Sequence, residues 1–114
     1  MKIAVIGASG WLGGAIAREA VTRGHEVTAI GRDATRLSQV EGARAVIADL
    51  DDPESIVDAA RGSDVVVSSV TDRSTPDRSR IPATARQLLD LAPRAGVHRV
   101  AFVGGGGSSA FIVR

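Results

Sequence analysis

Gly7, Gly10 and Gly13 recur at three-residue spacing in the opening stretch MKIAVIGASGWLGG. Glycine allows a tight turn, close approach of the backbone to a phosphate, and close packing of a helix on a strand. Residues 2–6 form a short β-branched apolar run, the composition of a strand buried on both faces. A helical pattern begins after the glycines, with Leu12, Ile16 and Ala20 on one face. Strand, glycine turn and helix in this order point backbone N–H groups and the positive end of a helix dipole at a pyrophosphate. That is the first half of a dinucleotide-binding unit. The bland alternative is a glycine-rich turn that binds nothing. The spacing is Gly-x-x-Gly-x-x-Gly, and the absence of a closing Gly-Lys-Ser/Thr excludes a P-loop.

Four further groups carry usable chemistry. Arg32 follows a second apolar run that ends in Ile30-Gly31, where an Asp or Glu would bind both ribose hydroxyls of a non-phosphorylated cofactor. A guanidinium there suits a 2′-phosphate, so NADP(H) is favoured over NAD(H), with a solvated arginine as the alternative. Asp33 reads more simply as a helix N-cap. Asp49 can accept the adenine amino hydrogen while Leu50 covers the ring, or Asp49 can belong to the approach to a cap at Asp52. Ser68, Ser69, Val70 and Thr71 would run beneath the nicotinamide ribose, unless their hydroxyls satisfy local backbone groups. Trp11 is too large to bury fully beside the turn and is expected to flank the cofactor, with ordinary packing as the competing reading.

The elements that must position these residues alternate strand and helix. A helix over 11–22 stops before Gly24, and a strand over 26–30 leads to a short helix capped by Asp33 and running through Val40. A third strand spans 44–48. Asp52-Pro53-Glu54 starts a helix with Ile56, Val57 and Ala60 inward, ending at Gly62. A fourth strand covers 64–69, a polar loop 71–79 and a helix 81–92 that Pro93 bends or ends. A fifth strand spans 98–103 and runs into four glycines and a short tail. This is an α/β, doubly wound parallel sheet of order 3-2-1-4-5, with its ligand crevice between the C-terminal ends of strands one and four. Only residues just after strands reach that crevice, so His25 and His98, which precede strands, fall at the opposite edge with Lys2.

Composition narrows the class. The 114 residues carry a net charge of +1 with mixed signs and no cysteine, so neither a nucleic-acid surface nor a thiolate metal site is expected, and no metal is called. No apolar run approaches the ~20 residues of a membrane span. No basic and apolar signal segment precedes the first strand, and a single cytoplasmic domain over 1–114 is the expectation. Trp11, Phe102 and Phe111 are the aromatic side chains, so the core must be Val, Ile, Leu and Ala.

KIAVIGASGWLGG, RGHEVTAIGRD, the Asp-Leu after strand three and RVAFVGGGGSS after strand five together resemble the atypical short-chain dehydrogenase/reductases. Within them the chain is most similar to the NAD(P)H-binding group of NADH-flavin reductase-like and NmrA-like proteins, and the ending SSAFIVR resembles flavin and biliverdin reductases. The resemblance implies that Gly7, Ser9, Gly10, Trp11 and Leu12 hold the pyrophosphate, with Gly13 in the same turn. It places Arg32 on the 2′-phosphate, Asp49 and Leu50 at adenine, and Ser69 and Val70 on the nicotinamide side. Ser109 would face the substrate as the catalytic candidate, with Phe111 as a nearby wall. Two departures matter. The chain has no tyrosine and its one lysine is Lys2, so no Tyr-x-x-x-Lys pair exists. Relatives also continue by about half a domain beyond strand five, so this chain reads as lacking its C-terminal half. The implied function is hydride transfer from NADPH to a flavin-like or other planar small-molecule acceptor. The alternatives are a non-catalytic NAD(P) sensor and the N-terminal part of a carbonyl reductase or nucleotide-sugar epimerase. With strand five at a margin of the sheet, the expectation is either a homodimer through it or the preceding helix, or a fragment of a longer polypeptide.

Overall fold

The apolar runs become strands whose alternate side chains feed two separate helical layers. The computed structural model describes residues 1–69, 83–103 and 110–113; for 83–85, 103 and 110–113 the description is of the backbone. Its elements are β1 (Lys2–Ile6), α1 (Trp11–Thr22), β2 (Glu26–Gly31), α2 (Ala34–Leu37), β3 (Arg44–Ile47), α3 (Pro53–Ala60), β4 (Val65–Ser68), α4 (Ala83–Arg94), β5 (Val100–Val103) and β6 (Ala110–Val113). The sheet order is β3-β2-β1-β4-β5-β6. The first five strands are parallel in the expected order 3-2-1-4-5.

β1 lies at the centre and is buried on both sides. Ala4 and Ile6 join Ile56, Val57, Leu88 and Leu91 of α3 and α4 in one core, while Val5 joins Ala17, Ala20 and Leu37 of α1 and α2 in the other. The chain therefore leaves β1 toward one face and reaches α4 from β4 on the other. That divergence opens a crevice at the C-terminal ends of β1 and β4. Ile56 and Val57 are each 3% exposed. Burial of such side chains is worth about 1.5–3 kcal/mol apiece, against about 0.2–1 kcal/mol for an exposed ion pair. The Glu54–Arg94 pair between α3 and α4, half-exposed or more on both sides, is thus secondary to the apolar contact.

Several expectations shift. The buried face of α1 is Gly13, Gly14, Ala17 and Ala20, with Leu12 and Ile16 only half-buried, because the helix lies too close to the sheet for larger side chains. α2 is shorter than the helix through Val40, although Asp33 caps it as expected, accepting the Arg36 N–H at 3.2 Å. Asp52 occupies the N-cap of α3 but its side chain makes no capping bond. Pro93 is accommodated in the last turn of α4.

The chain's end requires the main correction. The expected short tail contains β6, which pairs antiparallel with β5, setting Val100 against Val113 and Val103 against Ala110. β5 is therefore an interior strand, and the ground for expecting a dimer through its open edge is removed. The four glycines before β6 lie outside the described residues, as does the polar loop.

Candidate functional site

The end of β1 passes into the glycine turn with the N–H groups of Gly7, Ala8 and Gly10 all bonded. Gly7 has φ +85°, open to glycine without strain. The N–H groups of Gly7 and Ala8 both donate to the Ile30 carbonyl of β2, at 2.9 and 3.0 Å. The Gly7 carbonyl accepts from Gly10 N–H at 3.0 Å. Gly13 stacks directly on this turn: a Cβ there would stand 2.1 Å from the Gly7 carbonyl oxygen and 2.6 Å from Ser69 Oγ. Gly7 thus supplies the turn and Gly13 the close helix–strand approach. A Cβ on Gly10 would lie 3.3 Å from the Gly7 oxygen, a tighter fit than usual.

α1 then begins without a side-chain cap, since Gly10 is its N-cap. Gly14 is the first residue of the helix whose N–H finds an acceptor, the Gly10 carbonyl at 2.9 Å. Among the described residues the N–H groups of Trp11, Leu12 and Gly13 are left without partners, at the positive end of the helix dipole and at the mouth of the β1–β4 crevice. This donor set suits an anion of pyrophosphate type. Trp11 is 90% exposed, which removes ordinary core packing as its role and leaves the indole standing free beside these donors.

Around the adenosine end the side chains separate by what they already bind. Arg32 is exposed and makes no ion pair or hydrogen bond among the described residues. Its neighbour Asp33 is engaged by Arg36, through the capping bond and a side-chain contact at 3.7 Å. Asp49 accepts from Asp51 N–H through one carboxylate oxygen at 3.0 Å. Ser55 donates to the carbonyls of Asp49 and Asp52, at 3.3 and 2.7 Å, and so ties this turn to the start of α3. Leu50 is half-buried against the α3–α4 core. Across the crevice, Ser69 continues the β4 ladder, its N–H donating to the Ile6 carbonyl at 3.1 Å.

Val70 and Ser109 lie outside the described residues, as does the Phe111 side chain. At the opposite edge of the sheet, Asp64 accepts from the Lys2 N–H at 2.7 Å, in keeping with the N-terminal position expected of Lys2.

Two contacts had no readable signal in the sequence. Gly31 is tightly enclosed, because a Cβ would meet Ser9 Oγ at 2.8 Å and Leu37 Cδ2 at 3.2 Å, so both side chains would have to shift. Gln87 of α4 donates to the Leu50 carbonyl and braces the loop after β3. Both depend on contacts between segments distant in sequence. Among the described residues no helix is long and apolar enough to cross a membrane.

Comparison with known proteins agrees with this geometry. A family model described as NAD(P)H-binding matches residues 7–111. The uncharacterized protein YwnB of Bacillus subtilis is 37% identical over 109 residues, covering 95% of this chain and 49% of its own. A 2-alkyl-3-oxoalkanoate reductase of Stenotrophomonas maltophilia is 42% identical over 66 residues, 58% of this chain and 20% of that enzyme. A crystal structure of a Burkholderia pseudomallei protein superposes with a TM-score of 0.73 at 44% identity, covering 94% of this chain and 49% of that one. The chain therefore spans about half the length of the Bacillus and Burkholderia proteins.

Proposed function

The chain belongs to the NAD(P)H-binding family, and on that premise we propose that it is an NADP(H)-binding, reductase-like domain serving hydride transfer to a flavin-like or other planar acceptor. One observation carries the reading. Among the described residues, the N–H groups of Trp11, Leu12 and Gly13 are unpartnered, Arg32 is unengaged and Asp33 is already taken up by a cap. An anion fits the first set and a second phosphate fits Arg32.

In this reading Gly7, Ser9, Gly10, Trp11, Leu12 and Gly13 hold the pyrophosphate, and Arg32 pairs with the 2′-phosphate. Asp49 retains a carboxylate oxygen for the adenine amino group, with Leu50 under the ring. Ser69 and Val70 flank the nicotinamide ribose. Ser109 donates a hydrogen bond to the acceptor, with Phe111 as a wall and water as the proton source. The cofactor supplies the hydride, while the chain's residues orient the nicotinamide and limit access of water. The reductase relative adds support for the reaction class.

A second reading, a nucleotide sensor without turnover, is favoured by one fact. Within these 114 residues there is no tyrosine and the single lysine lies at the far edge of the sheet, so they offer no Tyr-x-x-x-Lys pair for proton transfer. A steady-state assay separates the two. As a reductase, the chain consumes NADPH slowly and only with added flavin or quinone, and Ser109→Ala slows this without changing cofactor affinity. A chain that binds NADPH and NADP with different affinities but turns over no acceptor is the sensor.

A further inference from the structure

We infer that Ser69 is a positioning residue for the glycine turn, acting through the Gly7–Ala8 peptide; this rests on the nucleotide-binding reading above. Ser69 Oγ stands 3.2 Å from the Ile6 carbonyl oxygen and 3.4 Å from that of Gly7. One hydroxyl therefore stands within reach of two acceptors, at distances long for an O–H···O bond. The hydroxyl also occupies the space that a Gly13 Cβ would need, at 2.6 Å. β1, the start of α1 and the end of β4 thus meet at one atom.

The consequence lies in the peptide between Gly7 and Ala8. Its N–H is fixed by the Ile30 carbonyl, and its carbonyl by Gly10 N–H and Ser69 Oγ. The orientation of this peptide sets the path of Ser9 and Gly10, and hence where the free N–H groups of Trp11, Leu12 and Gly13 point. Removing the hydroxyl leaves each carbonyl one backbone partner, Ser69 N–H for Ile6 and Gly10 N–H for Gly7. The fold should therefore survive while the turn loosens. The effect should be confined to ligands that use the turn.

Ser69→Ala and Ser69→Thr, compared with the unchanged chain, test this by calorimetric titration with three probes: NADPH, ADP and adenosine 2′-phosphate. ADP carries the pyrophosphate without a nicotinamide ribose, and adenosine 2′-phosphate carries neither. Ser69→Ala should weaken NADPH and ADP by the same factor, about three- to tenfold for one lost hydrogen bond. It should leave adenosine 2′-phosphate unchanged, and Ser69→Thr, which keeps the hydroxyl, should restore affinity. Loss for NADPH alone would make Ser69 a direct ribose ligand and overturn the inference. Equal loss for all three probes, tracking a lowered melting temperature, would make it merely structural, and no loss for any would also overturn it. If the unchanged chain binds neither NADPH nor ADP, the nucleotide-binding reading itself fails, an outcome separate from these.

Discussion

Gly13 and Gly31 are held as glycine by their neighbours, and this can be tested one residue at a time. Gly13→Ala would place a Cβ 2.1 Å from a backbone carbonyl that cannot move away alone, so α1 must shift. The cost should reach or exceed the roughly 1–3 kcal/mol of ordinary overpacking. Urea unfolding should show it, and NADPH binding should be lost. A stable, binding Gly13→Ala variant would contradict the packing described. Gly31→Asp puts an acid at the end of β2, yet Ser9 and Leu37 occupy the space it needs. It should destabilise the chain rather than switch preference to NADH. The three opening glycines were plain in the sequence. Close packing of the helix on the strand was read there too, but not the atoms that enforce it at Gly13, the Gly7 carbonyl and Ser69 Oγ. Gly31 gave no signal because Ser9 is remote in sequence. Trp11, the chain's one indole, offers a direct reporter. Its emission should be quenched by NADPH, and an unchanged spectrum at saturation would remove it from the site.

Among the elements, the two short helices after β2 and β3 look alike in sequence and are started differently. Asp33 accepts a backbone N–H of α2, whereas Asp52 at the head of α3 accepts none. At α3, Pro53 sets the first helical residue and the Ser55 hydroxyl bonds the Asp52 and Asp49 carbonyls instead. Asp33→Ala should cost about 0.5–2 kcal/mol by urea unfolding, the range for a lost N-cap. Asp52→Ala should fall within about 0.5 kcal/mol of the parent, as at surface sites without such a contact. Equal effects would show that the caps have been misassigned. Strand order and the type of each described helix were legible because β-branched runs, Gly24 and Gly62 punctuate the chain so regularly. The buried face of α1 was not, since periodicity marks Leu12 and Ile16 and says nothing of how near the helix approaches the sheet.

At the scale of the whole molecule, β6 decides which backbone groups are open to another chain. Four residues after a glycine run carry too weak a pattern to be read as a strand, and only pairing with β5 makes them one. Removing 104–114 should expose the β5 edge and raise concentration-dependent association in light scattering. Unchanged scattering would show that β6 does not protect that edge. The chain spans about half of the Bacillus relative, yet the glycine turn, Arg32 and the turn after β3 all fall within it. Cofactor binding should therefore be measurable on these residues. Calorimetric titration of NADPH and NADH against the parent chain and Arg32→Ala tests most directly whether the turn holds a pyrophosphate while Arg32 selects the 2′-phosphate. NADPH should bind the parent more tightly than NADH. Arg32→Ala should weaken NADPH by about 1.5–3 kcal/mol, the worth of a hydrogen bond to a charged group, and leave NADH nearly unchanged. Equal losses for both cofactors, or tighter binding of NADH by the parent, would contradict it.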